Sequence, residues 1–481
     1  MNYFELLRLA APEAVLVVTA LVVLALGLSS ARAPVLCSGV AAAGLLFASA
    51  AVLMLPPQAA LFNGMLVITP LIALFKVICL ALAFFTVIVA RQSSGRHQGE
   101  YLALLLLATV GLMLLVGSEE LLVIFIGLEL TGLSLYVMAA FDKSDVRSAE
   151  AGLKYFLFGS TASAFTLFGI SLIYGTTGAT SLAAIAPKVG VITPILAAGL
   201  VMTLIGFAFK IAAAPFHLWA PDTYQGAPAA SVAFIASASK VASFVVLGKI
   251  VLVGFGPAQG AAGWHAMVAG WAPLLAALAA LSILIGNLVA LAQSNVRRLL
   301  AYSAVAHAGY TLLGLVAGGR EGFSATLFYT TTYAFTLVGA FGVVALVRRE
   351  TGGDDFIHFS GLRRRSPWLA ACMAVFMLSL AGIPPLAGFF GKFYLFSAAL
   401  RVGGNHGLLW LVALALFGSL ISFYYYLMVL KVIFVDKTAE NVPLLTLDFL
   451  QRTSIALLAG IVLFLGLFPG GLVWKITSSL P

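Results

Sequence analysis

Long apolar runs, separated by short polar connections, follow one another along nearly the whole chain. Most of these runs reach the roughly 20 residues that a helix needs to cross a bilayer. They lack the alternation of apolar and polar residues that marks strands of membrane barrels. The pattern therefore predicts an all-α polytopic membrane protein with about 14 transmembrane helices. The predicted segments are 12–28, 34–55, 66–90, 101–117, 119–140, 151–174, 191–214, 228–254, 267–291, 298–318, 323–347, 367–400, 407–434 and 452–474.

Two of these segments carry the signs of a broken helix. Segment 7 is followed at once by Pro215, and segment 12 is longer than one straight span and contains Pro384 and Pro385. A proline frees backbone groups that only protein or a water-filled cavity can satisfy inside a membrane. We therefore predict that helices 7 and 12 are broken.

The two breaks also indicate an internal repeat. Each lies near a lysine, Lys210 in segment 7 and Lys392 in segment 12, and they are five segments apart. An odd offset inverts one copy relative to the other in the membrane. We predict two inverted five-helix repeats. The resulting parts are residues 1–100 with helices 1–3, 101–254 with helices 4–8, 255–435 with helices 9–13, and 436–481 with helix 14.

The first apolar run is followed by Ala31-Arg32-Ala33, which has the shape of a signal-peptidase site. The region before the run carries Arg8 but also Glu5 and Glu13, so it is not clearly basic. We expect the first helix to be retained.

Composition excludes a soluble globular domain. The 481 residues are 62% hydrophobic and only 9% charged. The net charge of +9 comes from short connections rather than from a basic domain, so we expect no nucleic-acid partner. The three cysteines, Cys37, Cys79 and Cys372, lie in apolar runs without metal-ligand spacing, and we interpret them as buried thiols.

Basic residues favour one side of the predicted membrane. Connections after odd-numbered segments, with their flanks, carry fifteen Lys and Arg residues, whereas the opposite side carries six. This excess predicts that the odd connections are cytoplasmic and that both termini lie outside. The fifteen are Arg32, Arg91, Arg96, Lys143, Arg147, Arg297, Arg298, Arg348, Arg349, Arg363, Arg364, Arg365, Lys431, Lys437 and Arg452; the six are Arg8, Lys188, Lys249, Arg320, Arg401 and Lys475.

Five lysines and one glutamate lie within apolar segments, where a charge costs several kcal/mol. Lysine suits a hydrated proton path, because burial and neighbouring charges make its proton easier to remove. The alternative is a set of static buried ion pairs. The six residues are Lys76, Lys154, Lys210, Lys240, Lys392 and Glu129. Lys154 lies close enough to the cytoplasmic edge to snorkel, and for Lys76, near the outer edge, we favour snorkelling.

His307 lies in the middle of segment 10. An imidazole gains and loses a proton near neutral pH, which suits a proton relay, although a structural hydrogen bond to a neighbouring hydroxyl is an equally simple interpretation.

Redox chemistry finds no support in the sequence. No cysteine cluster has iron–sulfur spacing, no pair of histidines suggests a haem, and no GxGxxG follows a predicted strand. We expect this chain to bind no redox cofactor.

Four long motifs resemble a known family. They are FIGLELTGLSLYVM, GFAFKIAAAPFHLWAPDTYQGAP, NLVALAQSNVRRLLAYSAVAHAGY and SLAGIPPLAGFFGKFYLF. Together they resemble the antiporter-like membrane subunits of respiratory complex I, whose relatives include cation/proton antiporter and membrane hydrogenase subunits. Within the family the chain is most similar to the subunit N branch, because it ends after segment 14, has Lys392 in GFFGKF and carries AGLKYFLFGS around Lys154.

The resemblance implies a function and a role for each buried group. It implies a proton-translocating subunit of NADH:quinone oxidoreductase in the bacterial inner membrane, beside an antiporter-like subunit M and small membrane subunits. NADH, FMN, iron–sulfur clusters and quinone would belong to other subunits. Glu129 and Lys210 would form the input pair, Lys154 would modulate it, Lys240 would be the central relay, His307 would follow, and Lys392 would be the output site. A subunit of a stand-alone Na⁺/H⁺ antiporter, and a purely structural membrane spacer, stay open as alternatives.

Overall fold

A computed structural model describes residues 3–29, 33–91, 97–402, 407–436 and 448–480. This part of the chain is almost entirely helical. Its α-helices are α1 (Tyr3–Leu9), α2 (Ala11–Ser29), α3 (Ala33–Leu53), α4 (Pro70–Ala90), α5 (Gln98–Gly117), α6 (Leu121–Ala139), α7 (Val146–Thr177), α8 (Leu182–Ile185), α9 (Pro194–Lys210), α10 (Trp219–Gly226), α11 (Ala229–Ala236), α12 (Ala238–Lys249), α13 (Trp271–Leu291), α14 (Val296–Ala317), α15 (Gly319–Thr351), α16 (Phe356–Phe359), α17 (Leu362–Arg365), α18 (Pro367–Ala381), α19 (Ala387–Leu400), α20 (Leu409–Phe434), α21 (Phe449–Leu467) and α22 (Gly470–Ser479).

All fourteen predicted segments coincide with helices. Twelve stretches of the described residues are long and apolar enough to cross a membrane. The other two segments are the predicted broken ones: segment 7 contains α9, which α10 follows after the break, and segment 12 contains α18 and α19. The helical fold and the count of segments are therefore confirmed.

Local sequence sets where several spans begin. Thr69 and Thr193 precede α4 and α9, and each side chain accepts a hydrogen bond from a backbone N–H in the first turn. A proline follows each threonine, where its missing N–H is not needed. Asn295 caps α14 in the same way.

Two short hairpins were not predicted. Strand β1 (Ala59–Leu61) pairs with β2 (Leu66–Ile68), and β3 (Ala261–Gly263) pairs with β4 (Ala266–Val268), both antiparallel. The first hairpin packs on α1 through Leu9, Leu61 and Ile68. It occupies the start of the third predicted segment, so that span begins later than the apolar run does.

The predicted breaks in helices 7 and 12 are present. Helix α9 ends at Lys210, Ala212 has a left-handed φ of 58°, and α10 begins only at Trp219. Helix α18 ends at Ala381, Gly382 has a φ of 86°, and α19 begins at Ala387. The Ala214–Pro215 and Pro384–Pro385 peptide bonds are cis.

A third break, in helix 8, was not predicted. Ser237 has φ −114° and ψ −86°, which separates α11 from α12. The end of this span is a π-helical turn over Ile250–Gly254. Kinks usually arise at proline, glycine or π-turns, and the sequence around Ser237 has neither proline nor glycine to mark the break.

The helices form two compact units. The first lies within Met1–Ile211 and Gly226–Gln259, and the second within Ala212–Gln225 and Gly260–Leu480. In the first unit α5 packs on α6, α7 on α9, and α12 on α5 and α9. In the second unit α13 packs on α14, α15 on α18 and α19, and α20 on α13, α18 and α19. The order of pairing is the same in both units, which supports a five-helix repeat; its inversion and the proposed residue limits stay predictions.

Candidate functional site

The three deeply buried lysines that the sequence singled out all lie near an end of a half-helix, that is, one of the two shorter helices that a break leaves in a span. Lys210 is the last residue of α9, Lys240 is the third residue of α12, and Lys392 is in the second turn of α19. Their side chains are almost wholly enclosed, with exposed fractions of 4%, 2% and 4%. Half-helix ends expose backbone dipoles and unsatisfied backbone groups, which interact with charge more strongly than a continuous helix does.

Glu129 and Lys210 line one small cavity in the first unit. The cavity measures about 20 Å³, enough for a single water molecule. Ser163 of α7 donates a hydrogen bond to Glu129. The ammonium of Lys210 lies 5.9 Å from the ring centroid of Tyr136 and 5.8 Å from that of Tyr155.

The structure brings Glu129 and Lys210 together without a direct ion pair. Within the part of the chain that the structure describes, no ion pair joins these two groups. Both groups face the same water-sized cavity, which suits a bridged interaction rather than contact. Their predicted role as an input pair stays a prediction.

Lys154 does not line this cavity. Its Nζ lies 2.6 Å from Glu150 Oε1, one turn earlier on α7, and the two side chains are 36% and 54% exposed. The sequence prediction placed Lys154 near a membrane edge, and the half-exposed pair is compatible with that position. The Glu150 partner was not foreseen, although i,i+4 spacing is the usual spacing for such a pair.

Lys240 lies where two helix ends meet. An ammonium two residues inside α12 meets the positive end of that helix, which destabilises its charge. The C-terminal end of α11, at the same break, has the opposite sign. Opposing influences of this kind favour a lysine whose charge is easily gained and lost.

Lys392 is held by backbone oxygens. Its Nζ donates to the carbonyls of Leu380 at 3.0 Å and Ala381 at 3.2 Å, which end α18, and to Ser419 Oγ at 2.9 Å. Its ammonium lies 5.3 Å from the ring centroid of Tyr310. Among the described residues no carboxylate pairs with it, so the negative end of α18 and the ring face stabilise the charge.

His307 lies inside a group of tyrosines in the second unit. Its Nδ1 is 2.7 Å from the hydroxyl of Tyr329, and its Nε2 is 3.0 Å from that of Tyr426. Tyr310 lies between the two predicted site residues of this unit, with its ring centroid 5.6 Å from that of His307 and 5.3 Å from Lys392 Nζ.

The expectation that Lys76 snorkels is wrong. Lys76 is 5% exposed, and its Nζ lies 2.6 Å from Oε1 of Glu13 in α2. The chain places this carboxylate against the second turn of α4, so the ammonium is stabilised inside the protein instead of at the membrane surface. Sequence separation hides the pair, because its two members are 63 positions apart in the chain.

Lys249, assigned to an outer connection, is also buried. Its Nζ donates to the carbonyls of Val116 and Ser118, both at 3.1 Å, and lies 3.4 Å from Glu119 Oε1. It therefore caps the C-terminal end of α5. Lys249 and the Glu13–Lys76 pair form a second buried charged cluster that sequence reasoning missed.

Two further expectations concern orientation and metals. Arg32, Arg96 and Lys437, which contributed to the predicted orientation, lie outside the described residues, and the orientation itself stays a prediction. Over the described ranges, no group of three or more His, Cys, Asp or Glu side chains is placed to hold a metal ion.

Comparison with known proteins identifies the family. Residues 118–422 match the family described as "NADH:quinone oxidoreductase/Mrp antiporter, TM". The chain is 47% identical to NADH-quinone oxidoreductase subunit N 2 of Acidobacterium capsulatum, over 97% of this chain and 98% of the relative.

Solved structures have the same fold. A chain of respiratory complex I from Thermus thermophilus with bound aureothin superposes with a TM-score of 0.82 and 34% identity, covering 98% of this chain and 100% of that chain. A chain of the Mrp complex from Dietzia sp. DQ12-45-1b gives a TM-score of 0.83 at 22% identity, with coverage of 98% and 96%, which shows the fold alone. On the family match and the 47% identity together, the chain belongs to the NADH:quinone oxidoreductase/Mrp antiporter family of transmembrane subunits.

Proposed function

We propose that this chain is the subunit N component of a bacterial NADH:quinone oxidoreductase and that it carries protons across the inner membrane. The 47% identity to a protein of that name, which extends over nearly the full length of both chains, supports the subunit type. Its neighbours would be an antiporter-like subunit M and small membrane subunits. NADH, FMN, iron–sulfur clusters and quinone would be bound by other subunits, so the redox reaction and the proton transfer occur in different chains.

The observation that carries the proposal is the placement of three enclosed lysines at the ends of half-helices. A proton carrier must hold a proton and also lose it. Among the described residues, Lys210 and Lys392 have no carboxylate in direct contact, which would fix the charged form. Dipoles, carbonyls and ring faces stabilise an ammonium less strongly, so a modest change in local potential suffices to discharge it.

The driving change is electrostatic. At an effective dielectric constant of about 20, a unit charge that arrives about 8 Å away changes the energy of a buried charge by about 2 kcal/mol. That energy corresponds to roughly a 30-fold change in a protonation equilibrium. A charge change at the Glu129–Lys210 cavity would thus act on Lys240, and the resemblance to the family assigns the later steps to His307 and Lys392, without any redox chemistry in this chain.

Two substitutions of Lys240 test the proposal. Alanine removes the proton carrier, whereas arginine keeps the charge but cannot release its proton. We expect both Lys240→Ala and Lys240→Arg to lower proton pumping by roughly 100-fold, the contribution typical of a positioned acid–base group. The measurement is protons pumped per quinone reduced in vesicles, after each variant is shown to assemble with the redox subunits.

The controls separate the proposal from its alternatives. The same substitutions at Lys475, which is exposed, should leave pumping unchanged. Wild-type pumping by Lys240→Arg would mean that Lys240 is a static charge and not a carrier. If the purified chain is accompanied by antiporter subunits and no redox subunits, it belongs to a stand-alone cation/proton antiporter instead.

A further inference from the structure

Lys249, the last residue of α12, is buried and fully paired. Only 5% of the residue is exposed. Its Nζ donates to the carbonyls of Val116 and Ser118, both at 3.1 Å, and lies 3.4 Å from Glu119 Oε1. The three N–H groups of an ammonium are thus matched by three oxygens, one of which belongs to a carboxylate. Such pairing holds the ammonium in one position and favours its charged form.

The α5–α6 connection (residues 118–120), which these contacts reach, is itself held on two sides. It pairs through Ser118 with Leu66 of β2, and through Glu120 with Ser181, which precedes α8. The carboxylate of Glu120 also caps α6, because it accepts a hydrogen bond from a backbone N–H of the first turn at 2.8 Å. The α5–α6 connection is therefore a fixed point at which α6 begins.

A second contact holds the end of the span that contains α12. The N–H of Leu182 in α8 donates to the carbonyl of Glu119 at 2.9 Å. The Leu182 side chain packs on Gly254, in the π-helical turn that follows α12, where an added Cβ would lie 2.8 Å from Leu182 Cδ2. Glu119 is thus joined to the end of this span in two ways, through α8 and by the ammonium of Lys249. The ammonium provides the direct attachment.

The α5–α6 connection lies where α6 begins and α12 ends. Glu129 lies nine positions after Glu120, and Lys240 lies nine positions before Lys249. At 1.5 Å per residue, each of these two proposed proton-transfer groups is about 14 Å along its helix from the same point. The break at Ser237 separates α12 from α11, so α12 is not a continuation of the helix before it. The polar contacts of Lys249 therefore set the position of α12 along its own axis.

We propose that Lys249 is a positioning residue for proton transfer in the first unit. Its ammonium attaches the end of α12 to the start of α6 and thereby fixes the depth of Lys240 relative to Glu129. The inference rests on the proposed function, in which these two groups act in sequence. Lys249 itself transfers no proton and keeps its charge throughout. A displacement of about 1 Å can lower the rate of a reaction between two groups by roughly 100-fold, so a shift of α12 is enough to impair transfer.

Substitution of Lys249 by methionine and by arginine tests this role in the assembled complex. Methionine fills much of the same space but donates no hydrogen bond, and we expect Lys249→Met to lower protons pumped per quinone reduced by roughly 10-fold. Arginine keeps the charge and the donors but cannot release a proton. Lys249→Arg should therefore pump at nearly the wild-type level, whereas Lys240→Arg should not. This contrast separates a positioning cation from a proton carrier.

A milder variant keeps the test valid if Lys249→Met does not assemble. Glu119→Ala removes the carboxylate, whose side chain is 34% exposed, and leaves the two carbonyl acceptors in place. We expect it to lower pumping by roughly 3-fold, since a partly exposed ion pair contributes less than a buried one.

Lys76→Met is the matched control. Lys76 is also 5% exposed and lies beside Gly117 at the same end of α5, but its ion pair is with Glu13 of α2. The substitution removes an equally buried ammonium without releasing the end of α12. We expect the assembled variant to pump at nearly the wild-type level, although it should unfold at a lower temperature.

A distance measurement tests the attachment directly. Leu122 at the start of α6 is 45% exposed and Val253 in the π-helical turn is 38% exposed, so both positions accept a nitroxide label after substitution by cysteine. The three native cysteines are buried and give a low background. The distance between the two labels should be narrowly distributed in the otherwise wild-type complex and in Lys76→Met, and broadly distributed in Lys249→Met.

Pumping should follow this distance in every variant. Wild-type pumping by Lys249→Met overturns the proposal, as does an equal loss of pumping in Lys76→Met. A Lys249→Arg variant that keeps the narrow distance but loses pumping would make Lys249 a proton carrier, which also overturns it. If Lys240→Ala blocks pumping while Lys249→Met pumps normally, the positioning role fails and the proposed function stands; if Lys240→Ala pumps normally, the proposed function itself fails.

Discussion

At the scale of single residues, the partners of a buried lysine determine what it is able to do. Lys76 contacts a carboxylate at 2.6 Å, which fixes an ammonium in place. Lys392 contacts two carbonyls and a hydroxyl, and Lys210 faces two aromatic rings. We infer that the first kind of site is structural and that the second kind is suited to proton exchange.

Glu129 provides a prediction at this scale. Gln at this position keeps the size and hydrogen bonding of the side chain but cannot ionise, so Glu129→Gln should lower pumping per quinone reduced by roughly 100-fold. Glu129→Asp keeps the carboxylate and withdraws it from the cavity by one methylene, and it should retain more activity than the Gln variant.

The control for Glu129 is Glu321→Gln. Glu321 forms an ion pair with Arg401 in which the two side chains are 60% and 68% exposed, and its loss should not alter pumping. Equal, wild-type pumping by the Gln and Asp variants of Glu129 would reduce this carboxylate to a structural role.

At the scale of elements, ion pairs stabilise the connections between spans as well as the interior of the spans. Asp354, between α15 and α16, accepts from Arg297 at 3.2 Å and from Arg348 at 3.0 Å. Asn295, the N-cap of α14, donates to the same carboxylate at 2.6 Å. This carboxylate therefore ties the start of α14 to the end of α15.

The pH dependence of this connection can be predicted. Burial alone would raise the pKa of Asp354, but Arg297, the hydrogen bond from Asn295 and Arg348 together lower that pKa below its ordinary value. Because the folded pKa lies below the unfolded value of about 3.9, the stabilisation is complete above that pH and is lost as the pH falls below it.

Asp354→Asn tests this prediction. It leaves the fully buried Arg297 without that carboxylate, and we expect it to destabilise the assembled protein by about 3 kcal/mol near neutral pH. The difference from wild type should begin to shrink as the pH falls below about 4, and it should be lost only at the lower pH where the folded wild-type carboxylate is itself protonated. Thermal unfolding in detergent, at neutral and at acidic pH, measures the destabilisation and its pH dependence. Asp355→Asn is the control, since Asp355 is exposed although it accepts a hydrogen bond from Asn295 as well. A difference in stability between Asp354→Asn and wild type that does not change with pH would contradict this role of Asp354.

At the scale of the whole molecule, orientation in the membrane follows from the basic residues. Their excess in the odd connections predicts that both termini lie outside. A topology reporter fused to the C-terminus should therefore report the outer side, and one inserted at Gly352, in the exposed turn after α15, should report the cytoplasm. The reverse pattern would invert the predicted orientation.

The sequence by itself determined the class of fold, the fourteen segments and the two proline breaks. It did so because transfer of apolar residues into a bilayer and the missing N–H of proline are local properties that any run of residues displays. It also singled out Lys210, Lys240 and Lys392, since a charge inside an apolar run is conspicuous without any knowledge of its neighbours.

Only the tertiary structure decided which partner each buried group has. Membrane helices are apolar all round, so the sequence does not show which face meets which helix. The contacts that matter join residues far apart in the chain, such as Lys249 with Val116, 133 positions away. The break at Ser237 carries no proline or glycine, and the hydrogen bond between Tyr426 and His307 exists because α14 and α20 pack together in the second unit. The partner of a side chain, its burial and its access to water depend on how the helices pack, and that packing exists only when the helices are assembled.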